Sequence, residues 1–282
     1  MATRIINAVT VGRLVIVLVV LVVWQWAGSQ SAQLSFFFGT PLLIIGEFVK
    51  LLVREDLHTH LLVTAGEAVT GLAIGTLLGA VAGLALWYSK VAAEIARPFV
   101  LGLGTMPVIA FAPVMIVWFG IGFEMKVALA ALATVFPTFA QTYRGAVLVS
   151  RDYVEVLIGM NASRHQIFTK VIVPGSLDWV FSSMRLNIGL GLLGAFMGEF
   201  ISAERGLGFL VLKAASLYNV PRVFAAATGI IILAIAFDWC GNKIEQHSDL
   251  VIQMLSVPIR IWKKKLRSCL QRWLSKTGLA DK

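Results

Sequence analysis

Charge is scarce in this sequence. Asp, Glu, Lys and Arg make up 14% of its 282 residues, against about a quarter in an ordinary soluble domain, while hydrophobic residues reach 58%. That much apolar surface exceeds what one soluble core encloses, so the chain belongs in a bilayer. Cysteine is nearly absent: Cys240 and Cys269 stand far apart, neither in a CxxC pair, which speaks for free thiols rather than a disulfide or zinc site. His58, His60, His165 and His247 form no metal-ligand pattern beyond one weak HxH. No Gly is followed directly by Lys, so there is no phosphate-cradling P-loop, and if ATP drives the protein, a partner holds it with its Mg²⁺. No acid, base and nucleophile converge, so an enzyme is not expected, and neither is a bound cofactor.

What is abundant is apolar sequence in lengths that suit a membrane. A spanning helix takes about 20 apolar residues at about 1.5 Å each. Six stretches approach this, near Leu14–Ala27, Leu61–Trp87, Phe99–Ile121, Val127–Tyr143, Met184–Ile201 and Val223–Trp239. The first has the look of a cleavable signal, with Arg4 and Arg13 ahead of an apolar run, but no charged residue occurs from Leu14 to Gly46 and the cleavage site is poor. It is read as an anchor. With both termini cytoplasmic, only Lys50, Arg54, Lys126, Arg205, Lys213 and Arg222 of the 24 basic residues fall outside, in keeping with the positive-inside rule. The net charge of +9 then follows from topology and requires no nucleic acid. Between the first two spans, a turn at Gly39-Thr40-Pro41 is expected to open an amphipathic helix lying on the outer surface, with a short extra span as the alternative.

The polar segment 152–174, EVLIGMNASRHQIFTKVIVP with its lead-in, lies on the cytoplasmic side in this topology. Asp152 with Glu155 three residues on predicts a capping box and a helix start. Asn161 tolerates the left-handed conformation that ends helices. Ser163 with Gln166 repeats the cap, and Ile167, Phe168, Val171 and Ile172 form one apolar stripe that Pro174 interrupts. A helix, a sharp turn and a second helix result. Connections between spans are usually far shorter than Arg144–Ser183, which makes this a docking element rather than a plain joint.

Here the chain resembles the permease subunits of ABC importers. The segment is similar to their EAA motif, with Glu155 at the Glu, Ala162-Ser163-Arg164-His165-Gln166-Ile167-Phe168 at the common continuation, and Val171–Pro174 at the end. Val156 and Leu157 replace the two Ala and Asn161 replaces the Gly. The resemblance runs from about Phe36 to Gln246. The stretches FGTPLLIIGEFVKLL, PVIAFAPVMIVWFGIG and RLNIGLGLLGAFMGEFISAERGLGFLV, with the Asn219–Arg222 region, look like the nitrate, sulfonate and taurine branch. Glu67 departs from the basic residue expected early in the second span. The resemblance implies an all-α polytopic fold with a type I, methionine-importer-permease-like core in a bacterial inner membrane. It also implies a dimer with a second permease copy, a cytoplasmic ATPase pair, and a periplasmic or lipid-anchored solute-binding protein. The solute would be a small anion such as a sulfonate, taurine or nitrate. Glu155, Val156, Leu157, Asn161, Ala162, Ser163, Arg164 and Phe168 would then couple to the ATPase.

Within the spans, Gly71, Gly75, Gly79 and Gly83 recur every four residues, a row suited to close helix packing; Gly194 and Gly198 are read the same way. Pro107 and Pro113 should free the carbonyls of Leu103 and Ile109 and loosen the third span. Together with Thr105 and Met106 they are candidates for the translocation path, with a plain structural kink as the equal alternative. Pro137 is read as a kink. Glu199, near the outer end of the fifth span, needs a partner or water; Arg205 is the expected partner, an outer gate the alternative.

Three regions follow: an anchor and interfacial helix over 1–60, a permease core over 61–246, and a basic amphipathic tail over 247–282 suited to the inner leaflet. Two rivals remain open. An ion-coupled secondary transporter would show two similar halves, and none is found in the sequence; a non-transporting membrane scaffold is the other.

Overall fold

Proline, glycine and left-handed residues divide the apolar sequence into helices. The computed structural model describes residues 2–202 and 204–243, with side chains from residue 11 onward. The basic tail over 247–282 lies outside the described residues. Among those described the chain is helical, without a strand. The helices are α1 Ala2–Ser29, α2 Ala32–Phe38, α3 Pro41–Arg54, α4 Leu57–Ala85, α5 Lys90–Thr105, α6 Ala112–Phe119, α7 Phe123–Leu148, α8 Arg151–Gly159, α9 Arg164–Ile167, α10 Val173–Leu186, α11 Ile188–Ile201 and α12 Leu207–Ser216. A last one, α13, covers Val220–Lys243.

Four helices are long and apolar enough to cross a bilayer: α1 from Val11, α4 with its terminal turn to Tyr88, α7 and α13. Three broken pairs meet the same test, namely α2 with α3, α5 with α6, and Arg164–Leu186 with α11, so the count runs from four to seven and includes the expected six. The expected third and fifth spans are thus interrupted rather than continuous.

The contacts divide the chain into two units. The first holds Met1–Gly71, Pro107–Ala133 and Gly189–Ala236. In it α1 is knit to its neighbours: Trp24 meets Phe224 edge-on at 5.4 Å, and Gln25 Oε1 accepts from the Leu42 amide at 3.1 Å. Gly39, at φ +63, makes the expected turn, and Thr40 caps α3 by accepting from the Leu43 amide. The helices α2 and α3 meet at 52°. Ala112, Met115, Met125 and Leu129 form an apolar core between α6 and α7. A side chain at Gly194 would meet the Ala130 backbone at 2.6 Å, which is how α11 comes to lie tightly on α7.

The second unit holds Leu72–Met106, Thr134–Ile188 and, among the described residues, 237–243. There a Cβ at Gly79 would lie 2.5 Å from the Val135 carbonyl and one at Gly83 2.7 Å from the Phe139 carbonyl, so α4 packs backbone to backbone on α7. Thr138 and Thr142 face those two glycines, and the buried Asn187 amide donates to the Thr138 hydroxyl at 2.9 Å. Gly71 makes the matching approach within the first unit, against Ala130 and Val127, and Gly75 is buried. At Gly71, Gly79 and Gly83 a side chain would collide with the backbone of α7. Pro137 sits inside α7 without ending it.

Candidate functional site

The elbow folds largely as its caps dictate, with two corrections. The first concerns its start. α8 begins at Arg151 behind Ser150, so Asp152 lies in the first turn instead of capping it, and no side-chain cap bond forms with Glu155. A carboxylate in that position still complements the exposed amides of the helix start. The second concerns Pro174, which does not break the helix. A π-helical turn over Phe168–Ile172 precedes it, and α10 starts at Val173 with the proline in its first turn. Proline is tolerated there because its missing N–H has no helical partner to lose.

Between these ends the sequence is followed closely. Asn161 takes φ +56; its amide donates to the Ile158 carbonyl and that of Ala162 to Leu157, both at 2.9 Å. This closed pattern brings the side chains on either side of the turn together. Ser163 and Gln166 form the full reciprocal capping box. The consequence is a division of labour among the eight residues singled out in sequence. Leu157, Ala162 and Phe168 turn inward onto the cluster of Ala146, Ile167, Val171 and Ile172, together with Leu84 and Trp87. Glu155, Val156, Asn161, Ser163 and Arg164 remain exposed, joined by Ile158 and Met160. Only the latter set offers a surface to another molecule.

Arg164 is held in place. Its guanidinium lies 5.5 Å from the Trp87 ring and 5.7 Å from the Tyr88 ring, and donates to the Tyr88 carbonyl at 2.5 Å. Phe168 packs at a tilt against the same two rings, with centroids 5.6 Å and 4.6 Å away. The end of α4 is thus the seat of the elbow. Sequence reasoning missed Trp87 and Tyr88, although two adjacent aromatics at the close of an apolar span were the available signal.

The proline-rich stretch breaks rather than loosens. Met106 and Pro107 are extended, at ψ 136 and ψ 120. The carbonyls expected to be freed are taken up at shorter range: Leu103 accepts from the Met106 amide and Ile109 from that of Ala112. Tightened turns of this kind keep backbone polar groups paired, as hydrocarbon demands. Pro113 falls in the first turn of α6. Thr105, Met106, Pro107 and Pro113 are all exposed in the single chain.

Glu199 is fully buried and does not bond Arg205, which lies exposed in the turn after α11. Its carboxyl group instead takes the Thr64 hydroxyl and the Gly208 amide, each at 2.6 Å. The Leu207 amide donates to Thr64 Oγ1 and the Gly206 amide to His60 Nδ1, both at 2.9 Å. Three side chains from α4 and α11 thereby satisfy the amide of the N-cap residue Gly206 and the first two amides of α12, a cap supplied from a distance. Gly206 sits at φ +113, and a side chain there would land on the Glu199 carboxyl group. Nearby, the unexpected Glu67 finds its basic partner: Lys126 lies 3.0 Å away, both side chains buried. The positive charge at this level is present, carried on α7 instead of α4.

Residues 75–248 match the family described as the inner membrane component of binding-protein-dependent transport systems. The formylaminopyrimidine transport permease protein ThiX of Halalkalibacterium halodurans is 30% identical, over 77% of this chain and 86% of its own. The putative aliphatic sulfonates transport permease protein SsuC of Escherichia coli is 30% identical, over 86% of this chain and 87% of its own. The taurine permease TauC of Escherichia coli is 27% identical over 77% of this chain. Among solved structures, an inward-facing MetNI methionine ABC transporter covers 68% of this chain and 95% of its own with a TM-score of 0.60 at 18% identity, a likeness of fold. With its helical membrane architecture and its capped elbow, the chain belongs to the binding-protein-dependent inner membrane components, as an ABC importer permease of the sulfonate, taurine and nitrate type.

Proposed function

We propose that this chain is half of the pore of an ATP-driven importer and that the surface formed by Glu155, Val156 and Ile158 of α8, with Met160 just after it, docks on a cytoplasmic ATPase. The observation that carries this reading is the sorting of the elbow: a small apolar patch beside a carboxylate is left exposed, while its other face is packed onto the chain's own core. Such a lever transmits motion only if its root is stiff, and the capping box, the Asn161 turn and the Arg164 seat supply that stiffness. ATP and Mg²⁺ would be held by the ATPase, a second permease copy would complete the pore as a homodimer, and a solute-binding protein would deliver the cargo from outside. Alternating access then needs only two packed states of the helices.

The solute proposed is a small organic anion, a sulfonate or taurine. Pairing of Glu67 with Lys126 removes the bare negative charge that would oppose an anion. Thr105, Met106, Pro107 and Pro113 would line the route, where a broken backbone is tolerated against water or protein. The test joins the chain with its co-encoded ATPase in vesicles. Single cysteines at Val156 and Ile158 should crosslink to the ATPase, one at Leu157 should not, and taurine with its binding protein should stimulate ATP hydrolysis. No crosslink from either exposed position refutes the docking face; stimulation by a formylaminopyrimidine but by no anion refutes the solute class alone.

A further inference from the structure

We propose that Glu67 and Glu199 together hold one proton, making a buried proton site within the membrane-spanning part of the first unit. The two carboxyl groups are drawn to one place: Thr64, one turn before Glu67 on α4, donates to Glu199 Oε1 at 2.6 Å, and a side chain at Gly198, next to Glu199, would meet Lys126, the ion-pair partner of Glu67, at 2.9 Å. Both glutamate side chains are sealed from solvent, Glu67 at 1% exposure and Glu199 at 0%. Their oxygens can be accounted for in turn. Glu67 Oε1 takes the Lys126 ammonium; Glu199 Oε1 takes the Thr64 hydroxyl and Oε2 the Gly208 amide. Glu67 Oε2 is left buried without any donor.

Two ionised carboxylates at this one place would repel, would outnumber the one ammonium beside them, and would leave that last oxygen bare in a low-dielectric setting. One proton between them removes all three difficulties. It turns two acceptors into a donor and an acceptor, supplies Glu67 Oε2 with its missing partner, and makes the set of Glu67, Glu199 and Lys126 electrically neutral. A metal cation suits the site less well, since the Lys126 ammonium already occupies the cation's place and, among the described residues, no group of three or more His, Cys, Asp or Glu comes together. The titratable groups around the pair are Lys126 from α7 and, through the Gly206 amide, His60 from α4. Two such carboxyls titrate as a unit, so the proton belongs to the pair rather than to either residue. With the cluster neutral, α4, α7, α11 and the start of α12 are joined without an uncompensated charge in the bilayer.

The test is infrared spectroscopy of the full-length protein in lipid bilayers at neutral pH. The wild type should show a protonated carboxyl C=O stretch that shifts in heavy water and moves again when the protein carries isotope-labelled glutamate. The band should vanish in Glu67→Gln and in Glu199→Gln. In each variant the new amide supplies the donor that the surviving carboxylate needs, and Lys126 supplies its counter-charge. Glu94→Gln, at an exposed glutamate, should leave it unchanged. Absence of any such band in the wild type overturns the proposal, and this holds even if the variants do not fold. Survival of the band in either glutamine variant overturns it as well.

Discussion

Replacing Gly206 by alanine tests the remote cap directly. Gly206 has φ +113 and ψ 169, a region occupied essentially by glycine alone, and forcing another residue into it costs about 1–3 kcal/mol. The new Cβ also falls on the Glu199 carboxyl group. That group must withdraw, abandoning the Gly208 amide or the Thr64 hydroxyl, and leaving a buried donor unsatisfied costs about 1–3 kcal/mol. The two effects together amount to about 2–6 kcal/mol, which at about 2–4 °C per kcal/mol lowers the melting temperature by roughly 4–24 °C. Thermal unfolding in lipid nanodiscs measures it. The same substitution in a Glu199→Ala background meets no carboxylate and should cost only the backbone strain, so the two changes should be strongly non-additive. A loss below about 1 kcal/mol for Gly206→Ala, or a cycle additive to within about 0.5 kcal/mol, would refute the cap.

Other expectations concern the two charged features. Lys126→Met leaves Glu67 and Glu199 buried with no cation and should destabilise by about 3–5 kcal/mol; adding Glu67→Gln should recover part of this, as read by the same unfolding assay. Arg164→Ala removes exposed contacts with two rings, each worth about 0.5–1 kcal/mol, so stability should fall only modestly. Coupling should suffer more: ATP hydrolysed per solute imported should rise, because the elbow loses its seat on Trp87 and Tyr88. Arg164→Lys keeps the charge over the rings and should be intermediate.

Features that depend on neighbours in the chain were legible in advance. The Ser163–Gln166 box, the Asn161 turn, the Gly39 turn and the helix after Pro41 all appear as the local residue types require, because a cap or a turn is decided within about four residues. Gly71, Gly79 and Gly83 meet one neighbour, α7, because a four-residue period places them on one face of α4 whatever the partner. Misreadings arose where two local devices competed. Asp152 and Ser150 both suit a helix start, and the chain uses the earlier one; Pro174 by residue type interrupts a helix, yet a preceding π turn lets it stand in the first turn of α10.

Composition and order along the chain determined that this is a helical membrane protein with one ordered polar elbow, because apolar length, charge bias and capping are one-dimensional properties. Only the tertiary structure decided which side of the elbow is free, that Arg164 rests on aromatics 76 residues away, and that Glu199 serves Gly208 and Thr64 rather than Arg205. These are contacts between distant segments. Their partners are selected by the crossing of α4, α7 and α11, where burial makes every unpaired polar group costly and so compels Glu67, Lys126 and Glu199 to find one another.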